Sequence, residues 1–451
     1  MPLLVRRLLL APSIVSKRSS EGSADVEPSV ASYLGTLHED ATDPPRSFLD
    51  PNGIWLHVDF PHQDLPERGW KLHVSATPRS ARDVLDACVP LLVDTHTPFK
   101  VAASIERLIE LNEGVGGLGQ AGKFITAYPA TTEGSVHLAS RLDAATQGLR
   151  GPRILGERGL SPASLVHYRF GDYVEDADRS EEGSPDDPFI ASGLVDEPRT
   201  RLVGDRYLIT ATLHRSVRGA IHLAVDAVEG RTCILKRAWR DAIATPDGKD
   251  ARDRLEDEAR LLRALAEDPH FPTVSDVFAD REDLFVAMEY IEGPTFAELV
   301  NESHTESSAP SEAQVVAWGR ELAAALGSLH AAGYVHRDLN PINVIAADRL
   351  VLIDLELARP IGTAEGSFGA GTLGYASPNQ QDGGAATPAD DFYGLGALMM
   401  FAATYAEPDP AKLPANLSSP IAEVVARCLG RGEPFTSVVD VESALGQGIP
   451  S

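Results

Sequence analysis

Asp338 and Asn343 lie five residues apart in the run His336-Arg337-Asp338-Leu339-Asn340-Pro341-Ile342-Asn343. A carboxylate so placed can orient an acceptor hydroxyl and take its proton, while the amide oxygen reaches Mg2+ on bound phosphates. A loop, rather than a helix, can aim both side chains at one point across that spacing. Asp354 follows the apolar strand Val351-Leu352-Ile353 and offers a second oxygen ligand for the metal. Upstream, Lys236 in Cys233-Ile234-Leu235-Lys236 offers a cation for the α- and β-phosphates of ATP or GTP. Its expected partner is Glu258 on the helix that follows, with Glu256 as the alternative. Taken singly, a lysine in an apolar strand is usually a snorkelling edge residue, and an aspartate after a strand is usually a cap. Taken in this order and spacing, the set points to phosphoryl transfer.

The elements that must position these groups are legible. Three strand-like runs, 207–213, 220–228 and 232–237, precede a helical stretch at 252–266, and the clearest later helices span 312–332 and 391–404. The catalytic run fits HRDLxxxN at every defined position and so resembles the protein kinases. Gly371-Thr372-Leu373-Gly374-Tyr375-Ala376-Ser377-Pro378 resembles the end of an activation segment. Asp391-Phe392-Tyr393-Gly394-Leu395-Gly396 resembles the buried helix that braces the catalytic loop. Two departures stand out. Of the Gly-rich loop only Gly219 is kept as a nucleotide-binding position, His214 and Ser216 occupying the first two glycine places. The segment Asp354-Leu355-Glu356 stands where DFG is expected, which removes easy access to positive φ at its third residue. That argues against a reversible switch rather than against catalysis.

The amino-terminal half collects cations inside apolar strand contexts. In Gly69-Trp70-Lys71-Leu72-His73-Val74-Ser75-Ala76-Thr77, alternation puts Lys71, His73 and Ser75 on one face. Pro98-Phe99-Lys100-Val101, Gly122-Lys123-Phe124-Ile125-Thr126, Gly151-Pro152-Arg153, Arg158 and His167-Tyr168-Arg169 follow. One histidine with several lysines and arginines can make an anion pocket, phosphate being the natural ligand. The competing reading is scattered surface cations with a hydrogen-bonded structural histidine, and physics alone leaves both open.

Those same runs resemble the lyase domain of class III and IV lanthipeptide synthetases, itself related to phosphothreonine lyases, and the kinase half resembles the kinase of those synthetases. The resemblance covers about residues 50–445 in the family's order. It implies a bifunctional peptide dehydratase that phosphorylates Ser or Thr of a ribosomal precursor peptide carrying a leader segment and then eliminates phosphate. It implies Lys100 as the base for the α-proton, His73 as the acid for the departing phosphate, and Lys71, Lys123, Arg158 and Arg169 as phosphate ligands. Which of Arg153, Arg158 and Arg169 contribute stays open. These synthetases normally continue into a cyclase. Ring closure is therefore expected from a separate cyclase, without an enzyme, or in a chain of which this is a truncated or divergent form. The alternative function is a signalling Ser/Thr protein kinase with a non-catalytic amino-terminal domain.

Composition sets the outer limits. The chain has 451 residues, 43% hydrophobic and 24% charged, with a formal net charge of -26. That balance argues against a nucleic-acid partner, and no apolar run is long enough to suggest a membrane span. Cys88, Cys233 and Cys428 form no metal-binding cluster, which makes a reducing, cytoplasmic setting the expectation. The expected fold class is α+β: a phosphothreonine-lyase-like α/β domain followed by a bilobal protein-kinase-like domain. Expected boundaries are a disordered segment at 1–48, the lyase-like domain at 49–173 and an acidic linker at 174–200. The kinase follows at 201–448, its lobes meeting at 293/294, with a polar surface loop at 301–311.

Overall fold

The structure, a computed structural model, describes residues 45–61, 64–173, 186–196, 202–245, 248–305, 309–364, 371–409, 411–413 and 417–447. These fall into two compact units, the first within 20–256 and 277–287, the second within 257–276 and 288–451.

The first unit opens on seven strands: β1 (Arg46–Leu49), β2 (Trp55–Asp59), β3 (Arg68–Val74), β4 (Phe99–Ala102), β5 (Ile125–Ala127), β6 (Arg158–Gly159) and β7 (Val166–Asp172). They pair antiparallel in the order β1-β2-β4-β5-β3-β7-β6. Helices α1 (Ala81–Asp94), α2 (Ile105–Asn112), α3 (Thr132–Ala145) and α4 (Pro188–Ala191) belong to the same domain. Strand alternation decides which side faces the core. Leu72, Val74, Val58, Phe99, Val101 and Ile125 are buried with Val84, Cys88 and Leu92 of α1 and Leu138 and Leu142 of α3. Each large apolar side chain so buried contributes about 1.5–3 kcal/mol. Lys71 and His73 of β3, Lys100 of β4, Thr126 of β5 and His167 and Arg169 of β7 alternate with these residues and occupy the other face. Ser104 and Thr131 cap α2 and α3 by accepting the N–H groups of Arg107 and Gly134.

Two expectations are corrected here. Segment 1–48 was expected to be disordered, yet Arg46–Leu49 pair with Leu56–Asp59 as an edge strand; residues 1–44 lie outside the described residues. The acidic linker does not run through 188–195. There α4 seats Phe189 and Val195 in the core of the amino-terminal domain, with Phe189 stacked on Tyr168 at 3.8 Å between ring centroids. An aromatic among acidic and proline-rich neighbours was too weak a signal against the composition around it. Of the rest of that linker, 174–185 and 197–200 lie outside the described residues.

Next come β8 (Tyr207–Arg215), β9 (Gly219–Asp226), β10 (Arg231–Ala238), helix α5 (Ala251–Ala264), β11 (Val274–Asp280) and β12 (Asp283–Glu289). The five strands form one sheet in the order β11-β12-β10-β9-β8. This is the amino-terminal kinase sheet that the three strand-like runs and one helix foretold.

The second unit is mainly helical: α6 (Phe296–Thr305), α7 (Glu312–Ala331), β13 (Tyr334–Val335), β14 (Val344–Ala346), β15 (Leu350–Leu352), β16 (Arg359–Pro360), α8 (Pro378–Gln381), α9 (Pro388–Thr404), α10 (Ser419–Cys428) and α11 (Val438–Gln447). Helix α9 is buried from Asp390 to Ala403 and apolar nearly all round, the pattern of a central helix. The polar segment expected to loop over 301–311 instead continues α6 to Thr305, with 306–308 outside the described residues. Among the described residues no helix is long and apolar enough to cross a membrane.

Candidate functional site

The second unit assembles the HRDLxxxN run into one hydrogen-bonded loop between β13 and β14. Thr372 donates its hydroxyl to Asp338 Oδ1 at 2.7 Å, and Asn343 Nδ2 donates to Asp338 Oδ2 at 2.8 Å. Asn340 ties the same group together by donating to Thr372 Oγ1 at 3.0 Å. Thr372 comes from the stretch that resembled an activation-segment end, so that resemblance has a physical counterpart. Burial pushes the Asp338 carboxyl up to about 7, and the nearby Asp354 and Glu356 carboxylates push the same way. A base held near neutrality suits acceptance of a hydroxyl proton. Asp354, two residues past β15, takes the left-handed conformation at φ 66°. Of the two glutamates weighed on α5, Glu258 is buried and Glu256 exposed. Glu258 Oε1 accepts the Leu355 N–H at 3.0 Å, joining the helix to the Asp354-Leu355-Glu356 segment.

In the first unit, Lys236 lies on β10 opposite Ile221 of β9. The turn that replaces a Gly-rich loop is closed by Ser216, whose Oγ accepts N–H groups from Arg218 at 3.2 Å and Gly219 at 3.4 Å. Trp239 Nε1 donates to the Ser216 carbonyl at 3.1 Å and holds the turn from below. Gly219 has a packing reason of its own, because a Cβ there would overlap the Arg237 carbonyl oxygen.

The seven-stranded sheet places its cations by register. Lys100 of β4 lies opposite Thr126 of β5, Thr126 opposite His73 of β3, and His73 opposite His167 of β7. Lys71 and Arg169 face each other two residues along. Partners in antiparallel register point to the same face, so these side chains share the face turned from the apolar core. Lys123 reaches the same group from the loop before β5. Lys100, Lys123, Thr126 and His73 are all buried. Lys100 Nζ lies over the Trp55 ring at 4.6 Å, and Lys71 Nζ over Tyr128 at 5.9 Å.

Arg158 is not brought to this face. It pairs with Tyr168, which points into the core side, and its guanidinium binds Asp187 at 3.2 Å and the Asp196 carbonyl at 2.7 Å. The strand parity of a two-residue β6 was invisible without its pairing. Arg153 lies over Trp239 at 5.6 Å rather than among the clustered cations. Of the three arginines left open, Arg169 is the one at the cluster.

The residue missed in the sequence is Glu157. Its buried carboxylate meets His73 Nδ1 at 2.5 Å and Lys123 Nζ at 2.9 Å, with Arg169 Nε at 3.9 Å. Burial alone would raise this carboxyl, but His73 and Lys123 overcome it and hold the group at about 2. Burial outweighs Glu157 at His73 and lowers the imidazole to about 4. Burial also lowers the Lys123 ammonium. A lone acidic residue in Gly156-Glu157-Arg158 carries no spacing signal that could have singled it out.

Together the two sites define a class of protein: a protein kinase domain joined to a second, cation-lined domain of its own. The protein kinase domain family matches residues 217–425, and the RamC N-terminal domain family matches residues 38–207. The chain carries both domains, the RamC-type one first. It is 30% identical over 384 residues to the "Probable SapB synthase" of Streptomyces coelicolor, covering 77% of this chain and 41% of that protein. It is 34% identical over 196 residues to the serine/threonine-protein kinase AfsK of Streptomyces coelicolor, covering 41% of this chain and 23% of that protein. It is 33% identical over 165 residues to the "Probable serine/threonine-protein kinase PkwA" of Thermomonospora curvata, covering 36% and 21%. The chain thus spans less than half the length of each of these relatives.

Proposed function

We propose that the chain is a bifunctional peptide dehydratase: its kinase domain phosphorylates Ser or Thr of a precursor peptide, and its RamC-type domain eliminates the phosphate. The observation that carries this reading is the row Lys100, Thr126, His73 across adjacent strands, flanked by Lys71, Lys123 and Arg169. A kinase that only signals has no need of a second phosphate-binding face. The relative named as a SapB synthase aligns over more residues than either domain contains, so that likeness extends through both.

In the first step Asp338 accepts the proton of the substrate hydroxyl, held for it by Thr372 and Asn343. The hard oxygens of Asn343 and Asp354 suit Mg2+, and Lys236 would hold the α- and β-phosphates of ATP or GTP. When bound, nucleotide and metal supply the phosphoryl group and neutralise its charge. In the second step Lys100 takes the Cα proton, the electron pair forms the Cα=Cβ bond, and the Cβ–O bond breaks. The phosphate leaves with the bonding pair and receives a proton from His73, while Lys71, Lys123 and Arg169 stabilise the growing charge. The products are dehydroalanine or dehydrobutyrine and hydrogen phosphate.

The test is a mass measurement on a Ser/Thr-containing precursor incubated with the protein, Mg2+ and nucleotide. The expected result is loss of water, with phosphopeptide accumulating instead for Lys100→Ala. The likeness to AfsK and PkwA favours a second reading, a signalling kinase. Stable phosphopeptide from the unaltered protein would establish that reading and reject the first.

A further inference from the structure

Glu157 is the carboxylate at the centre of the lyase-like cation cluster, and its placement says more than neutralisation. One of its oxygens meets the Nδ1 side of His73 at 2.5 Å and the other meets Lys123 at 2.9 Å. An ionised carboxylate accepts only, so His73 must carry its proton on Nδ1, leaving the lone pair on Nε2 at the opposite edge of the ring. Among the described residues the charged groups acting on this imidazole are Glu157, Lys123 and Arg169, with Lys100 beyond Thr126. His167, the next residue in register, cannot substitute. Its Nδ1 lies 3.2 Å from the Leu165 carbonyl and its Nε2 accepts the Ile154 N–H at 3.4 Å.

We propose that Glu157 is a positioning residue for phosphate elimination: it fixes His73 with Nε2 turned to the phosphate monoester and stabilises the imidazolium formed when that dianion binds. The proposal rests on the dehydratase reading. With its Nδ1 edge turned to Glu157, the free imidazole has no proton on Nε2 to give. A phosphate dianion docked at Nε2 places the ring between two anions, and the complex takes up one proton from solvent. Elimination passes that proton to the leaving phosphate, while Lys100 takes up the Cα proton and later returns it to solvent. The cycle therefore closes with no net proton gained or lost by the protein. The same Glu157 oxygen that holds Lys123 also lies 3.9 Å from Arg169, so one carboxylate orients acid and phosphate ligands together.

The experiment uses a synthetic phosphoserine peptide, so that no kinase step is needed, and follows phosphate release by phosphorus NMR across pH. If the unaltered chain releases no phosphate, the dehydratase reading falls and this proposal with it. If it does, Glu157→Gln is expected to lower kcat about tenfold or more, with a smaller change in KM. Its alkaline limb should move to lower pH, because the lost charge no longer favours the imidazolium; Glu157→Asp should move the limb back. A purely structural glutamate would reduce the amount of folded protein without moving that limb. Nitrogen NMR of histidine-labelled protein, assigned with His73→Gln, gives an independent readout that needs no folded Glu157 variant. An Nδ1–H tautomer at neutral pH supports the proposal. An Nε2–H tautomer, or an unchanged kcat and limb in Glu157→Gln, overturns it.

Discussion

Asp391 Oδ1 accepts the backbone N–H of Arg337 at 2.8 Å, while its Oδ2 accepts that of His336 at the same distance. Two successive N–H groups can converge on one carboxylate only where the chain bends sharply, and Arg337 has φ 64°, a costly conformation for a side chain of its size. His330 Nε2 lies 2.8 Å from Oδ2 and steadies the carboxylate from α7. Asp391→Ala should therefore cost about 3 kcal/mol or more, since it strands buried N–H groups that had a charged acceptor. Asp391→Asn keeps one acceptor and should cost less. Denaturation of both variants checks the order, and kinase activity should fall with the same ranking as the strained turn before Asp338 relaxes.

Gly219 shows a glycine retained for packing where a phosphate role was the first expectation. It pairs with Ala238 at the start of β9, and a Cβ would run into the carbonyl of Arg237. Neither strand can yield without breaking the ladder between them. Gly219→Ala should cost about 1–3 kcal/mol and lower the melting temperature even without nucleotide. An unchanged melting temperature with weakened nucleotide binding would assign the glycine to the phosphates instead.

Much of this was readable beforehand because the informative residues are local in sequence. Asp338, Asn343 and their loop lie within one short run, and the face shared by Lys71 and His73 follows from strand alternation alone. What could not be read depends on contacts distant in sequence. Arg158 looked like a phosphate ligand until pairing with Tyr168 turned it to the opposite face. Glu157 gained importance only through His73 and Lys123, residues that the chain brings to it from a distant strand and a distant loop. Phe189 was hidden by acidic neighbours, although one buried aromatic is enough to pull a short helix into a core.

The Glu356 carboxylate has a measurable consequence at the catalytic loop. Asp338 is raised to about 7 by burial first, then by the like charges of Asp354 and Glu356. A carboxylate that must be ionised to accept a proton works above its pKa, so phosphoryl transfer should fall as pH drops through that titration. Glu356→Gln removes one like charge and lowers the Asp338 pKa, which moves the fall to more acidic pH. Initial rates of peptide phosphorylation from pH 5 to 9 check both the limb and its displacement. A limb that stays in place means that Glu356 does not act on Asp338.

Thr126 stands in register between Lys100 and His73, and its buried hydroxyl has no hydrogen-bond partner among the described residues. A buried hydroxyl without a partner costs free energy, on the order of 1–3 kcal/mol, so a ligand that pairs with it recovers that loss. In the dehydratase reading the ligand is the phosphopeptide, whose Cα and phosphate must lie between Lys100 and His73. Valine matches threonine in shape without the hydroxyl. Thr126→Val should therefore leave the melting temperature unchanged or raise it, while lowering phosphate elimination from a phosphoserine peptide about tenfold (roughly 1.4 kcal/mol). The two readouts move apart only if the hydroxyl serves the substrate. If stability falls along with elimination, Thr126 is part of the packing of β5, and the space between Lys100 and His73 is filled from elsewhere.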